Sequence, residues 1–333
     1  MAFEELFGTG FEPGSIEIIP SGNRSRASIN TATVHTGTYS CEVDGDNNES
    51  AHIRFEVPGS HSELYISVWL RMTHIEEYAL VTVVLSDGKK VGLRYDQANE
   101  VWDAYVDGAV VQDGTVGHPS GDYHQLTLHV VIDDASGTIE WKVDGNADTS
   151  YSGDTKPGTG STISYVEFFA ADPGISGYNT FYVDDFVMGT GGWPGDYRWV
   201  AVVPNADTGQ KDFTPSTGTD NYDLVNDVPP NDTEYVYTDT SGHKDLYDLA
   251  DYSPASNETI KCVMQWVRAK KDAAETALLR PLLKSGTTES AGSSNPLTTS
   301  WEYYWEIYTE DPDTSSEWDE AGIDALQIGQ EYV

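Results

Sequence analysis

A chain of 333 residues with 38% apolar content is long enough for about two globular domains with ordinary cores. Its 55 acidic against 18 basic residues leave a formal charge of −37, which argues against binding nucleic acid or an anionic membrane through a broad basic face. With no run of about 18 apolar residues, no membrane-spanning helix is expected.

The start, MAFEELFGTGFEPG, lacks the basic opening and apolar stretch of a secretory signal, so synthesis and folding in a cytoplasm are expected. Cys41 and Cys262 fall in different predicted modules, which points to two reduced thiols and not to a disulfide framework.

Along the chain the period is two. Leu64, Ile66, Val68, Leu70 and Met72 alternate with Tyr65, Ser67, Trp69 and Arg71, placing one apolar file inward and one mixed file outward on a strand. Leu126, Leu128, Val130 and Ile132 repeat the pattern. Further strands are predicted at Tyr78 to Leu85, Lys90 to Tyr95, Val101 to Val106, Thr138 to Val143 and Ser164 to Ala170. Between them stand Asp87-Gly88, Asp107-Gly108, Asp113-Gly114 and Asp144-Gly145, suited to type I′ hairpins, whose two central residues both need positive φ. The stretch Phe181 to Pro204 closes this module: the apolar alternation of Phe181, Val183 and Val187 stops at Met188, and Gly189, Gly191 and Gly192 make a joint.

Two β-sandwich, jelly-roll-like domains in series are therefore expected, at 1–190 and 191–333, an all-β chain whose second domain opens with a loop-rich part at 195–258. In that second domain strands are predicted at Lys261 to Lys270, Thr276 to Lys284, Ser300 to Thr309 and Ile323 to Gly329. Ala269 to Leu279 has helical propensity but is short and runs into Pro281, which favours strand, loop, strand.

Catalytic signatures are scarce. No His-x-x-x-His or Cys-x-x-Cys spacing offers a transition-metal site, no Gly-x-Ser-x-Gly elbow offers a nucleophile, and His124 and His129 read as packing or surface residues. The clusters Glu42, Asp44, Asp46 and Glu317, Asp319, Glu320 are the carboxylates a glycoside hydrolase would use, yet Gly45 and Asn47 suggest a turn, so no catalytic residue is assigned. Aromatic residues suggest binding instead. Trp301, Tyr303 and Trp305 alternate along one strand, and Trp102 with Tyr105 stands beside the Asp107-Gly108 turn; sugars stack their C–H faces on such rings, while core or subunit interface is the other use of such a ladder.

The pieces Phe11-Glu12-Pro13-Gly14, Val34 to Ser40, Ile139 to Gly145 and Phe181 to Val187, in that order, resemble laminin-G-like, concanavalin-type jelly rolls over about residues 1–190. That resemblance implies a structural calcium shared by an opening-strand glutamate and a closing-strand aspartate, here Glu12 with Asp185, or Asp184 as the alternative. Gly195 to Arg198, Val203 to Asp207, Phe213 to Ser216, Asn221-Tyr222, Asp311 to Thr314, Trp318 and Ala325 to Gly329 are similar to virion-associated proteins of tailed bacteriophages. This likeness implies a non-enzymatic virion structural protein, decorating the capsid or sitting in the tail or its fibres. Its partners would be other virion proteins, and it would form a homo-oligomer, with a trimer the first guess. The alternative is a carbohydrate-binding adhesin or receptor-binding module for host-surface glycans.

Overall fold

The computed structural model describes residues 2–45, 49–75, 78–171 and 179–333. Strands make up 51% of the residues and helix 4%, so the all-β expectation holds throughout. The chain divides into two compact units, residues 1–12 with 19–200, and residues 13–18 with 201–333.

The first unit contains β1 (Glu4–Thr9), β2 (Arg24–Ser25), β3 (Ala27–Asn30), β4 (Ser40–Gly45), β5 (Ala51–His61), β6 (Glu63–His74), β7 (Ala79–Leu85) and β8 (Lys90–Asp96). It continues with β9 (Val101–Val106), β10 (Ala109–Gln112), β11 (Tyr123–Val131), β12 (Gly137–Val143), β13 (Asn146–Gly153), β14 (Ile163–Ala170) and β15 (Asn179–Thr190). One antiparallel sheet runs β13-β12-β11-β6-β15-β4-β3 with β1 added on β15, and the other runs β10-β9-β8-β7-β14-β5-β2. The predicted inward files of β6 and β11 are buried, as are Ile53, Val81, Val83, Leu93, Val166 and Phe168 of the second sheet, so the core lies between the two sheets. Phe7, Phe55, Phe168 and Phe186 join there as one ring cluster, Phe55 stacking on Phe186 at 4.7 Å.

The hairpin residues divide. Asp107-Gly108 and Asp144-Gly145 have positive φ at both positions and close β9-β10 and β12-β13. At Asp87-Gly88 only the glycine is positive. Asp113-Gly114 is not a hairpin turn: the Gly114 N–H donates to Asp103 Oδ1, and the next strand begins only at Tyr123.

Residues 193–199, grouped with the second module in the sequence, lie with the first unit across the outer face of its larger sheet. Trp193 meets Tyr65 and His129 edge-on under the Lys142 ammonium, Trp69 Nε1 donates to Asp196, and Trp199 N–H donates to Asp185.

The second unit holds β16 (Pro204–Lys211), β17 (Thr214–Pro215), β18 (Val236–Tyr237), β19 (Lys244–Leu249), β20 (Val263–Ala269), β21 (Leu278–Ser285), β22 (Thr288–Ala291), β23 (Asn295–Pro296), β24 (Glu302–Tyr308), α1 (Glu320–Asp324) and β25 (Gln327–Tyr332). A six-stranded sheet runs β16-β19-β25-β21-β22 with β23 on β21; β20-β24 and β17-β18 are separate ribbons. Val263, Val267, Tyr304 and Tyr308 of the β20-β24 ribbon pack on Leu279, Leu283, Leu297, Trp318 and Leu326.

The predicted strand at Ile323 to Gly329 begins late. Asp319 accepts a hydrogen bond from Gly322 N–H and caps α1 over Glu320–Asp324, so the strand starts at Gln327.

Candidate functional site

The aromatic ladder emerges in the second unit, reduced and extended. On β24, Tyr303 and Trp305 share a face with Trp266 and Arg268 of β20, because Trp266 pairs with Trp305 and Arg268 with Tyr303. Tyr303 lies under the Arg268 guanidinium at 4.9 Å, which Asp232 holds with two hydrogen bonds and Glu17 with an ion pair. Burial raises the Tyr303 hydroxyl pKa above its ordinary value. Trp305 is half-buried beside Trp266. Trp301, just before the strand, turns to other company: Tyr235 stands 6.1 Å away at 59°, and Tyr237 stands 6.2 Å from Tyr235 at 61°.

Tyr235 and Tyr237 are 40% and 53% exposed, the only aromatic side chains among the described residues that stand in the open. Their ribbon is fixed by Ser216, whose N–H donates to Tyr235 O and whose hydroxyl accepts from Tyr235 N–H. The Lys270 ammonium sits 4.8 Å over the Trp301 ring. Three rings inclined to one another, with one cation at the edge, make an amphipathic platform: apolar faces for C–H groups and a donor for hydroxyl oxygens. The spacing Tyr235-x-Tyr237 was its signal in the sequence; nothing local tied it to Trp301.

The first-unit pair separates. Trp102 is fully buried, its indole donating to His118 Nδ1 at 2.9 Å, and so it is core, not a glycan contact. Tyr105, three positions on, projects from the opposite face of β9 and is half-buried.

The three acids implied for calcium come together. Asp184 and Asp185 are buried on β15, where the register breaks and Asp185 takes φ 44°, and Glu12 approaches from the opening segment. The loop over them turns at Gly37, whose φ of 66° and closeness to the Glu12 carboxylate leave no room for a Cβ. Glu12 Oε1 accepts from Thr38 and Tyr39 N–H. Asp184 accepts from the N–H groups of His35, Thr36 and Asp185; Asp185 accepts from His35 Nδ1, Thr36 Oγ1 and Trp199 N–H. Burial, then the Asp185 charge, pushes the Asp184 carboxyl well above the usual range; burial also raises Glu12.

Five of the six carboxylate oxygens thus face hydrogen-bond donors, and among the described residues no group of three or more His, Cys, Asp or Glu side chains is placed to hold a metal ion. These side chains, as arranged, do not fit a calcium cage. They tie the chain ends, the 35–39 loop and the 193–199 segment of the first unit together by donors instead.

Four of the six carboxylates that hydrolysis would draw on have structural work, and Glu317 stands exposed. Glu42 accepts from Asn30, Asp44 from Thr180, Glu320 from Ser253, and Asp319 caps α1; Asp46 and Asn47 lie outside the described residues.

No family model and no curated protein matches the chain. Among solved structures it is similar to a sialidase (12% identity, 50% of this chain, 17% of that one, TM-score 0.37) and to the alginate lyase Aly36B (9%, 58% and 98%, 0.39). A third is the carbohydrate-binding module CBM66 from Bacillus subtilis (10%, 50% and 98%, 0.35). The chain therefore spans less than a fifth of the sialidase it matches.

Proposed function

We propose that the chain is a non-enzymatic glycan-binding protein whose second unit holds sugar on the rings of Tyr235, Tyr237 and Trp301 beside Lys270. The observation that supports this is the open, angled platform itself: two neighbouring tyrosines left exposed on a short ribbon, joined by Trp301 from the segment just before β24. Every other Phe, Tyr and Trp among the described residues is buried or partly buried, and stacked sugars would cover these two open rings.

Titration of neutral oligosaccharides into the full chain, followed by calorimetry, tests the reading. Tyr237→Ala and Trp301→Ala should each weaken binding about tenfold, and the sugars should be recovered uncut. Unchanged affinity in both variants would remove the platform, and released fragments would remove the non-enzymatic assignment.

The resemblance of the second half to virion-associated proteins supports a further part of the proposal, display on a phage capsid or tail as a homo-oligomer, where several weak sites on one particle act together. Gold-labelled antibody on purified particles tests it. Label on the head or on the tail is the expected result, and bare particles would sink it.

A further inference from the structure

On the outer face of the seven-stranded sheet, the residues alternating with the core file gather cations on an otherwise acidic chain. One row reads Arg54, Glu167, Thr82, Gly92 and Tyr105 across β5, β14, β7, β8 and β9. The next reads His52, Phe169, Leu80, Arg94 and Asp103, and Lys90 stands on the other side opposite Val84.

Glu167 is completely buried. Arg54 Nε donates to its Oε2 at 2.5 Å, and the Lys90 ammonium closes on its Oε1. One carboxylate therefore fixes two cations, whose side chains remain partly exposed at 31% and 23%. Lys90 also lies 4.4 Å over the Phe169 ring, and Arg94 lies 5.0 Å over Tyr78.

Two features beyond charge mark this place. The Thr82 side chain is fully buried and its hydroxyl has no hydrogen-bond partner; His52 Nε2 is likewise buried and unpartnered. Gly92 has φ 153°, and a Cβ there would run into the backbone of Val81 and Thr82, so no side chain stands between Thr82 and Tyr105. Thr82 and Gly92 are themselves buried, so the place is a low step in the face with two positioned cations on one side and a tyrosine on the other, while His52 lies beyond Phe169 on β5.

We propose that this face binds a carboxylate-bearing saccharide. Its carboxylate lies between Arg54 and Lys90, matching the planar guanidinium fork and the ammonium point charge. Its ring lies over the Gly92 step against Tyr105, and the buried Thr82 hydroxyl comes within reach once Lys90 swings onto the ligand. Glu167 is a positioning residue, setting the spacing of the two cations. The site is separate from the Tyr237 platform and does not rest on it.

The test is calorimetry on the full chain with two acid and neutral pairs, trigalacturonate against its methyl ester and 3′-sialyllactose against lactose. The structure predicts binding of at least one acid, about tenfold or more tighter than its neutral counterpart and weakened by salt. Removing Arg54 alone strands a buried carboxylate, so the paired change Arg54→Gln with Glu167→Gln is used, its fold checked by circular dichroism. It should lose acid binding about tenfold although the net charge is unchanged, whereas Lys261→Gln, which removes an exposed cation elsewhere, should not. A uronate response without a sialate response, or the reverse, identifies the source. Equal binding of acid and neutral sugars, no binding of either acid, or a paired variant that binds like the parent would each overturn the proposal. The Tyr237→Ala chain reads the two sites apart, because it leaves acid binding in place.

Discussion

His118 shows how a single buried group couples the fold to pH. It has no exposure, accepts the Trp102 indole proton on Nδ1, and burial lowers its pKa from 6.5 to about 3, with the nearby His124 acting in the same direction. The folded state thus keeps the ring neutral where the unfolded chain would protonate it. Between about pH 6.5 and 3 the unfolded state holds the extra proton, so stability rises with pH and is lost on acidification, by up to about 1.4 kcal/mol per pH unit. The unfolding midpoint of the first unit should fall across that window, and His118→Asn, which keeps an acceptor for Trp102 but cannot titrate, should flatten the slope. Parallel pH curves would show that His118 is not the cause.

The acids of β15 make a second residue-level prediction. Since their oxygens already face donors, a chelator should leave the melting midpoint unchanged. A drop of several degrees on chelation would restore calcium to Glu12, Asp184 and Asp185.

At the scale of elements, β14 and β19 carry opposite kinds of stabilisation. Phe168 of β14 meets Phe55 and Phe186 in the ring cluster, so Phe168→Ala should destabilise the first unit by about 3–5 kcal/mol through the cavity it leaves. Asp245 of β19 is equally buried but polar: it accepts from Phe213 N–H, Asn221 Nδ2 and the Tyr247 hydroxyl. Asp245→Ala strands three donors and should lower the stability of the second unit by about 3 kcal/mol or more, read as a shift in urea midpoint.

These elements also mark what could be read from sequence. β6 and β11 were legible because one apolar file of each, Leu64 to Met72 and Leu126 to Val130, is wholly core, which imposes alternation on the residues. β13 and β16 were not: both are edge strands, NADTSYSG and PNADTGQK, held by backbone pairing on one side, and an edge needs no apolar file. The candidate site was half legible. Alternation put Trp301, Tyr303 and Trp305 on one side, but whether a ring is open depended on Glu17 and Asp232 holding Arg268 over Tyr303, and on Tyr235 meeting Trp301. Such long-range partners leave no local trace.

At the scale of the whole molecule, the two units differ in how they are built, and that should separate them on heating. The first is a two-sheet sandwich with a continuous aromatic and aliphatic core. The second packs a ribbon on a six-stranded sheet through small clusters around Leu283 with Trp318 and around Leu279 with Leu297, supplemented by the Asp245 network. Less apolar burial per residue means a lower melting midpoint, and separately cored units unfold in separate transitions. Calorimetry should therefore record two transitions, the lower one moved by Asp245→Ala and the upper by Phe168→Ala. Because a charge of −37 repels itself in both units, raising salt from about 10 to about 150 mM should raise both midpoints. A single transition shifted equally by both substitutions would mean that the units share one cooperative core, contrary to the separate cores described.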